Sequence, residues 1–161
     1  MKDNSRSISN ERGSGRALLE IQDLHVHFPL REGLLARRRV AVQAVNGVSL
    51  TLKRGEVFGL VGESGCGKTT LGRAIVGLAP VLTGDIRFAG ESVVGLTGRA
   101  AQERSRRIQL IFQDPYSSLH PRKTVRHLVG VGLKLHGLAH GYEIDEQVLG
   151  TLQGVGLSLI H

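Results

Sequence analysis

The chain has 161 residues, of which 21 are Lys or Arg and 14 are Asp or Glu, so its formal net charge is +7. The length fits one domain, and a hydrophobic content of 40% supports a core, which excludes wholesale disorder. The single cysteine cannot form an internal disulfide, and no apolar run reaches the ~18 residues of a membrane-spanning helix. The first residues also contain no apolar segment typical of a secretory signal. These features favour a soluble, cytosolic, glycine-rich and basic protein.

The pattern of apolar residues predicts strands and helices that alternate after residue 55. Residues 1–17 are polar and aperiodic, and we expect a flexible tail there, followed by one domain at 18–161. The predicted elements are, in chain order, strands at 19–28, 40–52 and 56–61, a glycine-rich loop at 62–67, a helix at 68–76, a strand at 84–89, a helix at 100–107, a strand at 108–112, and helices at 124–135 and 142–155. This order predicts an α/β fold with a partly parallel sheet and an antiparallel β-subdomain formed by the first part of the chain.

Local signals set several boundaries of these elements. The alternation of the first strand slips by one residue near Gln22 and Asp23. Gly77 is expected to end the first helix, and Thr124 is a candidate cap for the third. The last helix carries the apolar stripe Ile144, Val148 and Leu152.

One motif carries clear chemistry. The segment Gly62–Thr69 has the sequence GESGCGKT and fits the phosphate-loop pattern G-x-x-x-x-G-K-[ST] at every fixed position. Its glycines permit positive φ angles, so that backbone N–H groups can surround a phosphate chain at the start of a helix. Lys68 can reach the β- and γ-phosphates, and the Thr69 hydroxyl can ligate Mg²⁺. We interpret Cys66 as a small filler of the loop.

A second acidic residue would be needed to hold the magnesium or to polarise water, and two positions compete for that role. Asp114 follows the predicted strand at 108–112, but Gln113 intervenes and a proline follows. The pair Asp145-Glu146 lacks an apolar strand before it and is typical of an acidic helix N-terminus. Neither position fits the role well.

Four stretches of the sequence resemble the ATP-binding subunits of ABC transporters. Within that family, the resemblance is to the oligopeptide/dipeptide importer branch. These stretches are 19–28 with the basic insertion at 31–40, 44–50, 61–74, and 111–122, which has the sequence IFQDPYSSLHPR. The resemblance implies the N-terminal portion of a P-loop NTPase domain of the ABC ATPase type. The phosphate- and cofactor-binding residues that it implies are Gly62, Glu63, Ser64, Gly65, Cys66, Gly67, Lys68, Thr69 and Thr70.

The resemblance also implies roles for two residues outside the loop. Gln113 is similar to the glutamine that contacts Mg²⁺ or the attacking water, so Gln113 and Thr69 are the candidate metal contacts. Phe28 is similar to the aromatic residue that stacks on adenine. The implied ligands are ATP and Mg²⁺, and the implied partners are transmembrane permease subunits and a second ATP-binding subunit, at the cytoplasmic face of the membrane. His120 and the segment 129–133 depart from the pattern of the branch.

The sequence contains no Gly-Gly dipeptide, so the LSGGQ signature of the family is absent, as are its Walker B strand and switch histidine. We therefore expect this chain to correspond to the N-terminal half of such a subunit. Three hypotheses follow: an ATP-binding subunit of a peptide importer, a non-catalytic fragment that binds nucleotide or a partner without turnover, and a nucleic-acid-binding P-loop protein. The third rests on the positive charge alone, and no aromatic platform accompanies the basic clusters, so we do not expect nucleic acid as a partner.

Overall fold

The structure, a computed structural model, describes residues 16–29, 41–114 and 119–157. The described elements, in chain order, are β1 (Ala17–Pro29), β2 (Ala41–Lys53), α1 (Lys68–Ile75), β3 (Thr83–Phe88), β4 (Glu91–Ser92), α2 (Gly98–Arg107), α3 (Val125–Leu135) and α4 (Glu143–Gly154). The chain divides into two compact units between Gly95 and Leu96, and each unit is described by itself. The predicted basic insertion and nearly all of the predicted tail lie outside the described residues. The α/β class is confirmed.

The first unit is built on a four-stranded sheet in the order β2-β1-β3-β4, in which all neighbours are antiparallel. The long strands β1 and β2 pair from Ala17 opposite Lys53 to Pro29 opposite Ala41. The predicted antiparallel subdomain is therefore confirmed.

The slip predicted near Gln22 and Asp23 is a bulge in the central strand β1. Asp23 has a φ of 44°, and the pairing of β1 shifts register there against both β2 and β3. The extra residue allows Ile21, Leu24 and Val26 all to be buried, although strict alternation would expose one of them. The backbone N–H of Asp23 donates to Ser49 Oγ at 2.9 Å, which satisfies a group that the bulge takes out of the sheet.

Helix α1 packs on β1 and β2 through an apolar face that includes the buried residues Leu71 and Ala74. It ends where the sequence predicts. Gly77 has a φ of 71° and donates its N–H to Ala74 O, while the N–H of Leu78 donates to Arg73 O at 2.7 Å. This is the Schellman arrangement, in which a left-handed glycine satisfies the last helical carbonyls.

A cluster of one acidic, one basic and one hydroxyl side chain joins the neighbouring strands β3 and β4. The Ser92 hydroxyl donates to Asp85 Oδ1 at 2.6 Å, and Arg87 donates to Asp85 Oδ2 at 2.8 Å. These two hydrogen bonds lower the pKa of the Asp85 carboxyl because they stabilise its charged form, and the bond from Ser92 has the larger effect. Asp85 therefore ties the short strand β4 to β3 as a carboxylate.

The second unit contains helices α2, α3 and α4. The Thr124 hydroxyl accepts a hydrogen bond from the His127 N–H at 3.2 Å, so the predicted cap of α3 is confirmed. The predicted stripe of α4 is also confirmed, because Val148 and Leu152 are buried. Gln102 of α2 donates to the Leu135 carbonyl at the end of α3. None of the described helices is long and apolar enough to cross a membrane.

Helices α3 and α4 approach each other closely at Gly130. A Cβ at this position would lie 2.9 Å from Ile144 Cγ2 and 3.5 Å from Val148 Cγ2, so a larger residue would push the helices apart. The contact is flanked by an ion pair in which Arg126 donates through Nε and Nη2 to the two carboxyl oxygens of Asp145. Hydrogen bonding from Arg126 lowers the pKa of the Asp145 carboxyl.

Two glycines of α3 should respond differently to alanine. Gly132 lies in the helix without a positive φ and with open space at its Cβ, so Gly132→Ala should raise the free energy of unfolding by about 0.5–1 kcal/mol through helix propensity. Gly130→Ala gains the same propensity but meets Ile144, so its gain should be smaller or reversed. Urea unfolding of the two variants checks this, and equal stabilisation by both would contradict the close approach of α3 and α4.

The predictions of two strands are wrong. Residues 56–61 and 108–112 form no strand, and Val57, Val61 and Ile111 are 98%, 93% and 95% exposed. A short apolar run becomes a strand only where neighbouring strands accept its backbone hydrogen bonds, and within the described residues neither segment pairs with another strand. The sheet of the described residues therefore contains no parallel pair.

Candidate functional site

The glycine-rich segment folds as a tight loop that leads directly into α1. Gly65 has a φ of +83° and Gly67 a φ of +96°, values that L side chains rarely adopt, and Gly67 is the residue that caps α1. The first helical hydrogen bond runs from the Leu71 N–H to Gly67 O at 2.8 Å. An α-helix leaves the N–H groups of its first turn without partners inside the helix, and in α1 this turn follows the loop directly, as anion binding at a helix N-terminus requires.

Lys68 lies across this loop and is bound by it. Its Nζ donates to Gly62 O at 2.7 Å, to Glu63 O at 2.6 Å and to Cys66 Sγ at 3.4 Å. The loop is closed further by a hydrogen bond from the Cys66 N–H to Glu63 O at 3.3 Å. The structure thus places the positive charge of Lys68 within the ring of backbone that the motif predicts to surround phosphate.

Two close approaches show why glycine is needed in this loop. A Cβ on Gly62 would lie 2.8 Å from Cys66 Sγ, and a Cβ on Gly67 would lie 2.2 Å from the carbonyl oxygen of Ala44. Ala44 belongs to β2, so the loop rests directly on the sheet. The motif predicts a glycine at position 67, but nothing in the sequence identifies the carbonyl that it meets.

A cavity of about 220 Å³ borders the loop. Its wall is mainly aliphatic and is formed by Ala44, Val45, Val48, Leu60, Val61, Cys66, Gly67, Lys68 and Leu71. Lys68 is the one charged residue among the described residues that line this cavity, and a charge beside apolar surface interacts with an anion more strongly than it does in bulk water.

The loop fits a polyphosphate chain with a divalent cation. The positive-φ glycines form a concave backbone, Lys68 supplies a positive charge, and Thr69 presents an exposed hydroxyl in the first turn of α1. A hydroxyl oxygen is a suitable ligand for a hard cation such as Mg²⁺. Thr70 is half-buried in the same turn, and Ser64 lies exposed at the tip of the loop. Among the described residues, no group of three or more His, Cys, Asp or Glu side chains could hold a metal by itself.

The other predicted site residues lie apart from the loop in the chain. Phe28 is near the end of β1, opposite Val42, and is 39% exposed. Gln113 and Asp114 lie in the irregular segment that follows α2, in the second unit. Residues 115–118 of the stretch that carries the resemblance around Gln113 lie outside the described residues.

The acidic pair of α4 is structural. Glu143, Asp145 and Glu146 all lie in the first turn of α4, and Asp145 is paired with Arg126. This arrangement confirms the interpretation of an acidic helix N-terminus rather than a catalytic acid at the end of a strand.

Comparisons with known proteins find a family and several relatives of this chain. The family described as ABC transporter matches residues 45–161. The oligopeptide transport ATP-binding protein AppF of Bacillus subtilis is 42% identical over 87% of this chain and 43% of its own length. The glutathione import ATP-binding protein GsiA of Pectobacterium atrosepticum is 45% identical over 89% of this chain and 23% of its own length. The chain thus spans less than half the length of these two relatives.

Solved structures agree on the fold. The dimeric bacterial ABC transporter cassette MJ0796 superposes with a TM-score of 0.66 at 22% identity, over 88% of this chain and 58% of its own. The protein cbiO1 of Clostridium perfringens superposes with a TM-score of 0.62 at 23% identity, over 88% of this chain and 51% of its own. Together with the family match and the loop at Gly62–Thr70, these likenesses show that the chain belongs to the ABC transporter family, within the fold of its ATP-binding cassettes.

Proposed function

We propose that this chain binds Mg²⁺·ATP through the loop Gly62–Thr70, as part of an ATP-binding subunit of a peptide-type ABC importer. The observation that carries the proposal is the position of Lys68, whose ammonium is held within a positive-φ glycine loop at the N-terminus of α1. Backbone N–H groups, the helix dipole and one lysine together form a site for a phosphate chain.

Each residue then has a defined task. The loop backbone and Lys68 bind the phosphates, and Thr69 holds the cation, with Gln113 as a further contact to the cation or to water. Phe28 offers an aromatic face to adenine. When bound, Mg²⁺ would neutralise charge on the phosphate oxygens, and the chain's own residues bind and orient the nucleotide.

In the whole protein we expect ATP binding and hydrolysis to drive import through permease subunits and a second ATP-binding subunit at the cytoplasmic face of the membrane. The relatives named for oligopeptide and glutathione support a peptide cargo, since glutathione is itself a short peptide. The MJ0796 cassette is described as dimeric, which supports pairing with a second ATP-binding subunit.

A titration with a fluorescent ATP analogue in the presence of Mg²⁺ tests the proposal. Lys68→Met should weaken binding about 10- to 100-fold, because a hydrogen bond to a charged group contributes about 1.5–3 kcal/mol. Arg73→Met is the matched control, since it removes one positive charge from the last turn of the same helix and should leave the affinity within about twofold.

The outcome is read in two ways. Equal binding by the protein with and without Lys68 would contradict the proposed site. Because the sequence contains neither the LSGGQ signature nor a Walker B strand, we expect nucleotide binding without measurable phosphate release in the same samples, and release that Lys68→Met abolishes would contradict this expectation.

A further inference from the structure

The contacts of Lys68 use every donor that its ammonium has. An ammonium group carries three N–H donors and no acceptor. In the structure these donors have three partners, Gly62 O, Glu63 O and Cys66 Sγ. A phosphate oxygen that binds Lys68 must therefore replace one of the three.

The three partners differ in strength. The two carbonyl oxygens accept at 2.7 and 2.6 Å, the short distances of charge-assisted hydrogen bonds. The sulfur accepts at 3.4 Å, and a thiol sulfur is a weak acceptor. The contact with Cys66 is the one that costs least to exchange for a phosphate oxygen.

The position of the sulfur is consistent with this exchange. Cys66 Sγ lies close to Gly62 on the other side of the loop, since a Cβ on Gly62 would lie 2.8 Å from this sulfur. Cys66 and Lys68 also line the same cavity. The thiol of this exposed residue thus lies against the ammonium of Lys68 and beside Gly62.

We propose that Cys66 is a positioning residue that sets the phosphate affinity of the loop through Lys68. Its sulfur holds one N–H of the ammonium at the place that a phosphate oxygen takes, so the thiol competes with phosphate for Lys68. This inference rests on the proposed function of the loop and extends it to a residue whose side chain is not required to touch the nucleotide.

Affinity for inorganic tripolyphosphate, measured by calorimetry, tests the competition. Cys66→Ala removes the competing acceptor and should tighten binding about two- to fivefold. This range corresponds to the lower part of the free energy that one hydrogen bond contributes. Cys66→Ser retains a competing acceptor, and a hydroxyl accepts more strongly than a thiol, so this variant should not show the gain in affinity. In a Lys68→Met background, Cys66→Ala should have no effect, since the residue acts only through Lys68.

The opposite result has a clear meaning. If Cys66 only fills the loop, Cys66→Ala leaves a gap, weakens binding and has the same effect in both backgrounds. Weaker binding by Cys66→Ala, or an effect that persists without Lys68, would overturn the proposal.

A second measurement tests the contact without a phosphate. Phthalaldehyde joins an amine and a thiol that lie side by side into a fluorescent isoindole, and the chain has one cysteine, so the signal reports on Cys66 alone. The isoindole should form in the wild type and in Arg73→Met, be lost in Lys68→Met and Cys66→Ala, and be suppressed by tripolyphosphate.

The two measurements separate the inference from the function beneath it. Tripolyphosphate binding without any isoindole would overturn the role of Cys66 and leave the proposed function intact. Isoindole formation without tripolyphosphate binding would overturn the proposed function, and with it the competition for Lys68.

Discussion

Replacing Gly84 with alanine should lower the free energy of unfolding by about 2–5 kcal/mol, the sum of a left-handed backbone and a steric clash. Gly84 is the second residue of β3 and has a φ of +93°. An added Cβ would lie 2.3 Å from Asp23 O and 2.6 Å from Gln22 O, both backbone atoms of the bulge in β1. The bulge and the glycine that faces it therefore depend on each other.

Gly90→Ala is the matched control for this measurement. Gly90 has a similar φ of +88°, but nothing lies within 4 Å of its Cβ position, so only the backbone penalty of about 1–2 kcal/mol applies. Urea unfolding of both variants isolates the clash with the bulge. Equal losses of stability would contradict the packing of β3 against Asp23, whereas a Gly84→Ala chain that is unfolded without urea would agree with it.

Gly67→Ala should abolish measurable nucleotide binding, with a loss of affinity of more than about 100-fold. Gly67 combines a φ of +96° with a Cβ position 2.2 Å from Ala44 O, so alanine must move the loop away from β2. The start of α1 would move with it, and the N–H groups and Lys68 would lose their common orientation. Titration with a fluorescent ATP analogue and Mg²⁺ measures the loss, and circular dichroism checks that the sheet persists.

Gly65→Ala separates backbone strain from the clash at this loop. Gly65 has a φ of +83° with open space around its Cβ position, so alanine should reduce affinity only about tenfold, through the strain of a left-handed residue. A Gly67→Ala protein that binds within about threefold of the wild type would show that the loop does not need its contact with Ala44.

Local signals in the sequence predict much of the fold, because they depend on neighbours in the chain. The slip near Asp23, the left-handed end of α1 at Gly77, the Thr124 cap and the stripe that includes Val148 all have their predicted structural roles. Each is set by residues within one or two turns or along one strand. The phosphate loop belongs to this group, since its motif requires only a strained loop and the helix that follows it.

Contacts between distant segments could not be predicted in the same way. The apolar run at 56–61 has the composition of a buried strand, but its structure depends on partner strands, and composition does not identify them. Gly130 has a low helix propensity, and the close approach of Ile144 of α4 explains why a glycine is present there. The contact of Gly67 with Ala44 likewise joins two segments more than twenty residues apart, and no local pattern encodes it.

The motif predicts one part of the site, the resemblance predicts another part, and neither predicts the contact of Cys66. The loop and Lys68 come together as the motif requires. The roles of Phe28 and Gln113 come from resemblance and stay predictions, since these residues lie on β1 and in the second unit. The contact between Lys68 and Cys66 had no signal in the sequence, because position 66 is a variable position of the motif.

The central claim is that Gly62–Thr70 binds a phosphate chain. The most direct test is a competition experiment with phosphate compounds of different length. The wild-type chain is loaded with a fluorescent ATP analogue and Mg²⁺, and ATP, tripolyphosphate and AMP are added in turn. The loop contacts should make ATP and tripolyphosphate effective competitors and AMP at least about tenfold weaker, since AMP lacks the β- and γ-phosphates that Lys68 reaches. Displacement by AMP as strong as that by ATP, with none by tripolyphosphate, would show that binding does not depend on the phosphate chain and would contradict the account.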